Sequence, residues 1–298
     1  MANTDVGVAA GGLGKTIAAA IVQFNKAAVT PATISMAAAV KGSNTVQFPV
    51  YAKLAATAVT NEATGDEDTE VAATSITTAA TSVEVLRNHI NARVTDLAAY
   101  GKSDALMVNA GQVLGNAVAT EFDANICARF DAFATSKGTS TEGLRWIDIM
   151  DAVASLETND APRPYSAVLH PQQMYGSFGL SNELGQVAAV NGSNGAFGAG
   201  SSASEDFLQA GFVTSLAGVN FYTSPQVIDG SDSTEKKGAI YAKTALGCGY
   251  IDFGGGSFIE MRTERNELGA STNLVANGYW ASAELVDLHG VEIFTEIS

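Results

Sequence analysis

Apolar and polar positions change their spacing several times along the chain, and each change marks a different element. Val46, Phe48 and Val50 alternate with Gln47, Pro49 and Tyr51, the period of two that predicts a strand. Pro49 brings no amide donor, so one edge of that strand is expected to be unpaired there. The β-leaning texture runs to Thr60, gives way to a polar, acidic turn over Asn61 to Asp68, and returns over Glu70 to Leu86. Together these predict a long two-stranded hairpin with few large apolar residues. A hairpin alone is marginal in water, so this one is expected to rest on something else.

The clearest helix follows. Ser103 and Asp104 are capping residues, and the run is predicted to reach Ser136. Ala110, Val113, Leu114, Ala117, Val118, Phe122, Ile126, Phe130 and Phe133 recur at spacings of one, three and four, while Asn109, Gln112, Asn116, Thr120, Asp123 and Arg129 fall mostly on other faces. At 1.5 Å per residue such a helix would be roughly 50 Å long. Gly111 and Gly115 are its internal weak points. A second helix is predicted over Thr141 to Glu157, a short strand over Tyr165 to Leu169, and a helical start at Pro171. Gly185 to Ala203 reads as a flexible loop. Short strands are expected around Phe212 to Val213, Gly218 to Ser224 and Ala239 to Ala242. Strand-like alternation resumes at Ser257, with Ile259, Met261 and Thr263 against Glu260, Arg262 and Glu264. Leu274 to Leu285 and Val291 to Thr295 complete the set. The class is α+β, without regular βαβ alternation. Met1 to Asn44 is alanine-rich and weakly amphipathic; it reads as an arm.

Composition narrows the function. The chain has 298 residues, 46% of them apolar and 16% charged, with a formal charge of −15. That balance opposes non-specific binding to DNA, which needs cations to displace counterions, and favours solubility at high concentration. Cys127 and Cys248 are far apart, lie in no CxxC and are expected to be buried thiols. No signal-peptide pattern opens the sequence, and the longest apolar stretches, such as Ile17 to Phe24, are too short to cross a bilayer. Synthesis and retention in a cytoplasm, and no membrane partner, are the expectation.

Ala9 to Thr16 reads AAGGLGKT, which matches a relaxed P-loop. Here Gly14 would allow close approach, Lys15 would hold phosphates and Thr16 a magnesium ion. A P-loop also needs a central strand in a parallel sheet and a second acid for the metal. No apolar strand ending in aspartate and followed by a helix is found. The motif therefore reads as a glycine-rich start to the arm with Lys15 solvated, and no cofactor is expected. Asp66, Glu67, Asp68 and Glu70 have no EF-hand pattern around them and read as a solvated turn. His89, His170 and His289 are scattered, and His170 before Pro171 is expected to bond backbone rather than move protons. The glycine series from Gly192 to Gly200 opens no helix, and Gly254 to Gly256 reads as a hinge.

The order of these segments resembles the major capsid proteins of tailed bacteriophages, whose fold is shared with encapsulins and herpesvirus shells. TVQFPVYAKLAATAV, the acidic turn and VEVLRNHI are similar to that family's extended hairpin loop. VTDLAAYGKSDALMVNAGQVLGNAVATEFDANICARF resembles its spine helix, SAVLHPQQMYGSF its axial strand-turn-helix, and FVTSLAGVNFYTSP the stretch that follows. SFIEMRTERNELGASTNLVANGYWASAELVDLHGVEIF is similar to its closing peripheral strands. The match covers nearly all of the chain from Thr45 on. One departure is that no long charged helical extension precedes the arm.

The resemblance implies a non-enzymatic virion protein, an α+β capsid fold assembled in the host cytoplasm into pentamers and hexamers of an icosahedral shell around double-stranded DNA. It implies an arm over 1–44, an extended hairpin loop over 45–88, a peripheral domain over 89–140 and 255–298, and an axial domain over 141–254. Partners would be copies of the chain, a portal, a decoration protein and either a separate scaffolding protein or a short arm doing that work. Expected inter-subunit contacts are Phe48, Tyr51, Lys53, Asp66, Glu67, Asp68, Glu70, Glu260, Arg262, Glu264 and Arg265. An encapsulin-type compartment, a tube-forming virion protein and a P-loop nucleotide-binding protein are the alternatives.

Overall fold

The computed structural model describes residues 19–20, 22–24, 28–40, 42–51, 54, 75–76, 78–96, 105–182, 215–253 and 258–297. Its long strand β12 (Ser271–Glu284) organises one sheet. On one side β12 pairs with β4 (Leu86–Thr95), and it also pairs with β10 (Leu246–Tyr250) and β11 (Ile259–Asn266), all antiparallel. β1 (Ser35–Ala38) adds to β10 in parallel, giving five strands. A six-stranded sheet runs β5-β13-β9-β6-β8-β7. Its members are β5 (Ser136–Lys137), β6 (Tyr165–Leu169), β7 (Ser215–Leu216), β8 (Val219–Thr223), β9 (Glu235–Ala242) and β13 (Gly290–Glu296). β2 (Thr45–Tyr51) and β3 (Thr78–Glu84) form a separate two-stranded sheet.

Helix α1 (Ala105–Cys127) lies on the five-stranded sheet. Leu114, Val118, Ala119, Phe122, Ile126 and Cys127 are buried, the three-and-four rhythm of a single contact stripe. They meet Trp280, Phe258 and Phe24 in an aromatic cluster with ring centroids 5.1–6.0 Å apart. Val113 was expected in that stripe but is 68% exposed. The helix also stops nine residues earlier than the sequence reading places it. Phe130 and Phe133 leave the helical path to stack on Tyr241 at 5.6 and 6.4 Å. Burial of those rings outweighs one more helical turn.

Helix α2 (Trp146–Thr158) covers the six-stranded sheet with Ile149, Ala152, Val153 and Leu156. Its expected start at Thr141 is displaced because Leu144 donates its amide to the Phe178 carbonyl at 3.0 Å, holding the preceding residues non-helical. Arg145 then forms a capping box with Asp148. The strand Tyr165–Leu169 and the helix α3 (Pro171–Tyr175) stand where the sequence places them.

β13, within the expected peripheral span 255–298, belongs to the six-stranded sheet through seven partners on β9. β10, within the expected axial span 141–254, lies in the five-stranded sheet. Residues 86–88, within the expected hairpin span 45–88, start β4 and pair with β12. The arm, too, is not without core residues: Ala20, Phe24 and Ile34 are buried, and β1 is a sheet strand. The regions 185–203, 212–213 and 254–256, expected as loop, strand and hinge, lie outside the described residues.

Candidate assembly surfaces

The base of the hairpin has an inner face and an outer one. Val46, Phe48, Val83 and Val85 turn inward onto Ala37, Ala39, Ile251, Tyr279, Ala281, Ala283 and Leu285. Gly249 makes room for them: a β-carbon there would come within 2.9 Å of the Val46 side chain. Phe48, expected at a subunit contact, is therefore spent on the chain's own sheet, and the hairpin does borrow apolar surface from its own body. Tyr51 and Ile76 are both 65% exposed, and Leu54 is 46% exposed. Lys53, Asp66, Glu67, Asp68 and Glu70 lie outside the described residues.

A polar face is laid out on the side of β4, β12 and β11 turned away from α1. Antiparallel pairing puts Arg93, Asn273 and Glu264 in one row across the three strands, and His89, Asn277 and Glu260 in another. Residues opposite one another share a face, so these side chains lie together, with Arg93, His89 and Glu264 exposed and Asn277 buried. Arg87 donates to the Asn277 side-chain carbonyl at 2.9 and 3.1 Å, and Arg93 to that of Asn273 at 3.2 Å. Glu260 takes an ion pair from Arg262 at 2.7 Å. Glu264 is exposed. Arg265 sits on the other face, where it grips Asp96 with a second contact at 2.7 Å; that guanidinium hydrogen bond holds the Asp96 carboxyl below its usual range. Of the expected contact residues, then, the fold gathers Glu260, Arg262 and Glu264 on one face and sends Arg265 to the other.

The arm is held at a point the sequence reading missed. Asp123, assigned to the polar side of the helix, is 3% exposed. Its carboxylate accepts from the Val29 amide at 3.0 Å, the Thr30 amide at 3.1 Å and the Thr30 hydroxyl at 2.6 Å. A buried charge is tolerated because three donors converge on it. Beside it the Thr33 and Tyr241 hydroxyls lie 2.7 Å apart. No sequence period marks such a latch; only an aspartate one turn from the helix's buried stripe hints at it.

The nucleophile and base candidates are turned to structural work. Cys127 and Cys248 are buried free thiols. Desolvation raises both, Cys248 to about 12, which keeps them protonated and unreactive. His170 accepts the Gln172 amide through Nδ1 at 3.2 Å, capping α3, and burial lowers its pKa. Among the described residues no group of three or more His, Cys, Asp and Glu side chains converges on a metal-sized space, and no helix is long and apolar enough to cross a membrane. Gly14, Lys15 and Thr16 lie outside the described residues.

No protein-family model matches the sequence, and no curated protein does. Solved structures do match. The capsid of the cyanophage P-SCSP1u superposes with a TM-score of 0.62 at 15% identity, over 89% of this chain and 87% of that one. The capsid of Ralstonia phage GP4 gives 0.62 at 13% identity, over 89% and 87%. This is the tailed-phage capsid fold. It is also the fold of the holo-SrpI encapsulin complex from Synechococcus elongatus PCC 7942, with a TM-score of 0.58 at 11% identity over 89% of this chain and 86% of that one. At these identities the likeness resides in the path of the backbone, which the capsid fold keeps while side chains change.

Proposed function

We propose that this chain is a major capsid subunit of a tailed phage. It self-assembles into pentamers and hexamers of an icosahedral shell around double-stranded DNA, in the host cytoplasm and without catalytic chemistry. The observation that carries the reading is the capsid fold over nearly nine-tenths of the chain, joined to a hairpin on which Tyr51, Leu54 and Ile76 are exposed. An appendage of that kind gains by lying across a neighbour, and repeated head-to-tail contacts close into rings where the rotation permits. Obligate interfaces of this type bury roughly 2,000 Å² or more.

In this proposal the hairpin loop, the peripheral sheet with α1 as its spine, and the axial sheet with α2 divide the labour of contact, rigidity and ring closure. Lys53 and the acidic turn of Asp66, Glu67, Asp68 and Glu70 contact a neighbour. A separate scaffolding protein, a portal and a decoration protein complete the particle. The net charge of −15 fits a container that does not grip its DNA.

Electron micrographs of the purified protein test the reading: rings or closed shells are expected, and a species that stays monomeric at high concentration would overturn it. The likeness to an encapsulin complex favours one second reading, a protein compartment. Shells that co-purify with a protein cargo rather than filling with DNA in the infected or expressing cell would decide for that one.

A further inference from the structure

The sheet built on β12 ends in two strand edges of unlike charge. β4 and β11 each pair with β12 and, among the described residues, with no other strand. Such edges offer a row of backbone donors and acceptors to another chain. On the shared polar face β4 carries Arg87, His89 and Arg93, all exposed. Among the described residues the two arginines donate to neutral asparagine oxygens. β11 carries Glu260 and Glu264 there, and Glu264 forms no ion pair within the described chain. A protein with 31 acidic and 16 basic residues thus keeps, among its described residues, two arginines on one edge and a glutamate on the other without an ion pair.

We propose that the outer edge of β11 in one copy pairs with the outer edge of β4 in the next, Glu264 meeting Arg93 and Glu260 meeting His89. β4 and β11 both run antiparallel to β12, so the junction is a parallel one. In the register that simply continues the rows of the sheet, Arg262 faces the neutral Asn91 and no like charges stand opposite one another. A shift of two residues in one direction puts Arg262 against Arg93 and is opposed by like charge, while the opposite shift exchanges the Glu264–Arg93 pair for Glu260 against Arg87, so the charges narrow the register to two. The contact is heterologous, because the two edges differ, and it therefore propagates head to tail. It needs the shell-building reading only for the presence of a second copy.

The test uses Arg93→Glu and Glu264→Arg in the full chain, with assembly followed by sedimentation and electron microscopy. Each variant alone places like charges at the junction, and the assembled fraction is expected to fall about tenfold or more. Combining both reversals in one chain restores opposite charges at every junction, so the double variant is expected to assemble to within about twofold of wild type. Wild-type assembly with a double variant that stays dispersed, or with single variants that assemble normally, overturns this inference and leaves the shell-building reading intact. A wild-type protein that never assembles overturns both. Where a reversed variant misfolds, Arg93→Gln, Glu264→Gln and their combination carry the test. A combined loss no larger than either single loss supports the pair, and additive losses overturn it.

Discussion

Gly115 of α1 lies so close to Ala20 that a β-carbon on it would sit 2.2 Å from the Ala20 carbonyl oxygen. The glycine in the middle of the spine is thus a seat for the arm: the residues at 19–20 and 22–24 are helical and cross α1 backbone to backbone. Gly115→Ala is expected to raise the helix propensity of α1 yet destabilise the protein by about 1–3 kcal/mol. Chemical denaturation should show the loss, and limited proteolysis should show earlier cutting within the first 28 residues. Unchanged stability would mean that the arm does not bear on the spine.

Asp123 predicts a larger effect. Asp123→Ala removes the acceptor of two amides and a hydroxyl that are buried or half-buried. Donors left without partners cost more than the bond itself contributed, about 3 kcal/mol in total. Hydrogen exchange of the Val29 and Thr30 amides should accelerate in the variant while the six-stranded sheet stays protected.

Phe48 and Tyr51 separate folding from assembly along a single strand. Phe48 is 8% exposed and Tyr51 65%. Phe48→Ala should cost about 3 kcal/mol by opening the cluster under the hairpin base. Tyr51→Ala should change the stability of the subunit by less than about 0.5 kcal/mol and still reduce shell yield in micrographs. Equal effects of the two on stability would remove the distinction between footing and free surface.

Glu292 gives a pH dependence of defined sign. Burial raises its pKa, against the attraction of Lys237 and a hydrogen bond from Ser136 at 3.1 Å. The folded state therefore holds this proton more tightly than the unfolded state does, and stability falls as pH rises from the ordinary glutamate range through the folded pKa. Glu292→Gln should unfold at a higher temperature than wild type at pH 7. The difference should vanish near pH 4, in paired thermal melts.

Much of the fold was legible because it is local. α1 follows from apolar residues three and four apart, α3 from Pro171 behind a capping His170, and β6 from a run of apolar residues ahead of them. β10 was missed because its sequence, LGCGY, carries two glycines and reads as a break. Those glycines are required by neighbours far away in the chain: Gly247 by Leu285 and Gly249 by Val46. The polar face was only partly legible. The alternation around Glu260, Arg262 and Glu264 marked a strand, whereas the face these residues share with Arg87 and Arg93 was not visible, since it depends on both strands lying across β12.

By itself the sequence determined the α+β class, the spine, the hairpin and the order of segments, because periodicity and turn chemistry act over a few residues. Tertiary structure alone decided that β13 joins β9 and β10 joins β12, that Phe48 faces inward, and that Asp123 ties down the arm. Strand partners and buried polar contacts are chosen between residues as many as 212 positions apart, as Ser35 and Gly247 are, where packing and charge pairing outweigh any local preference.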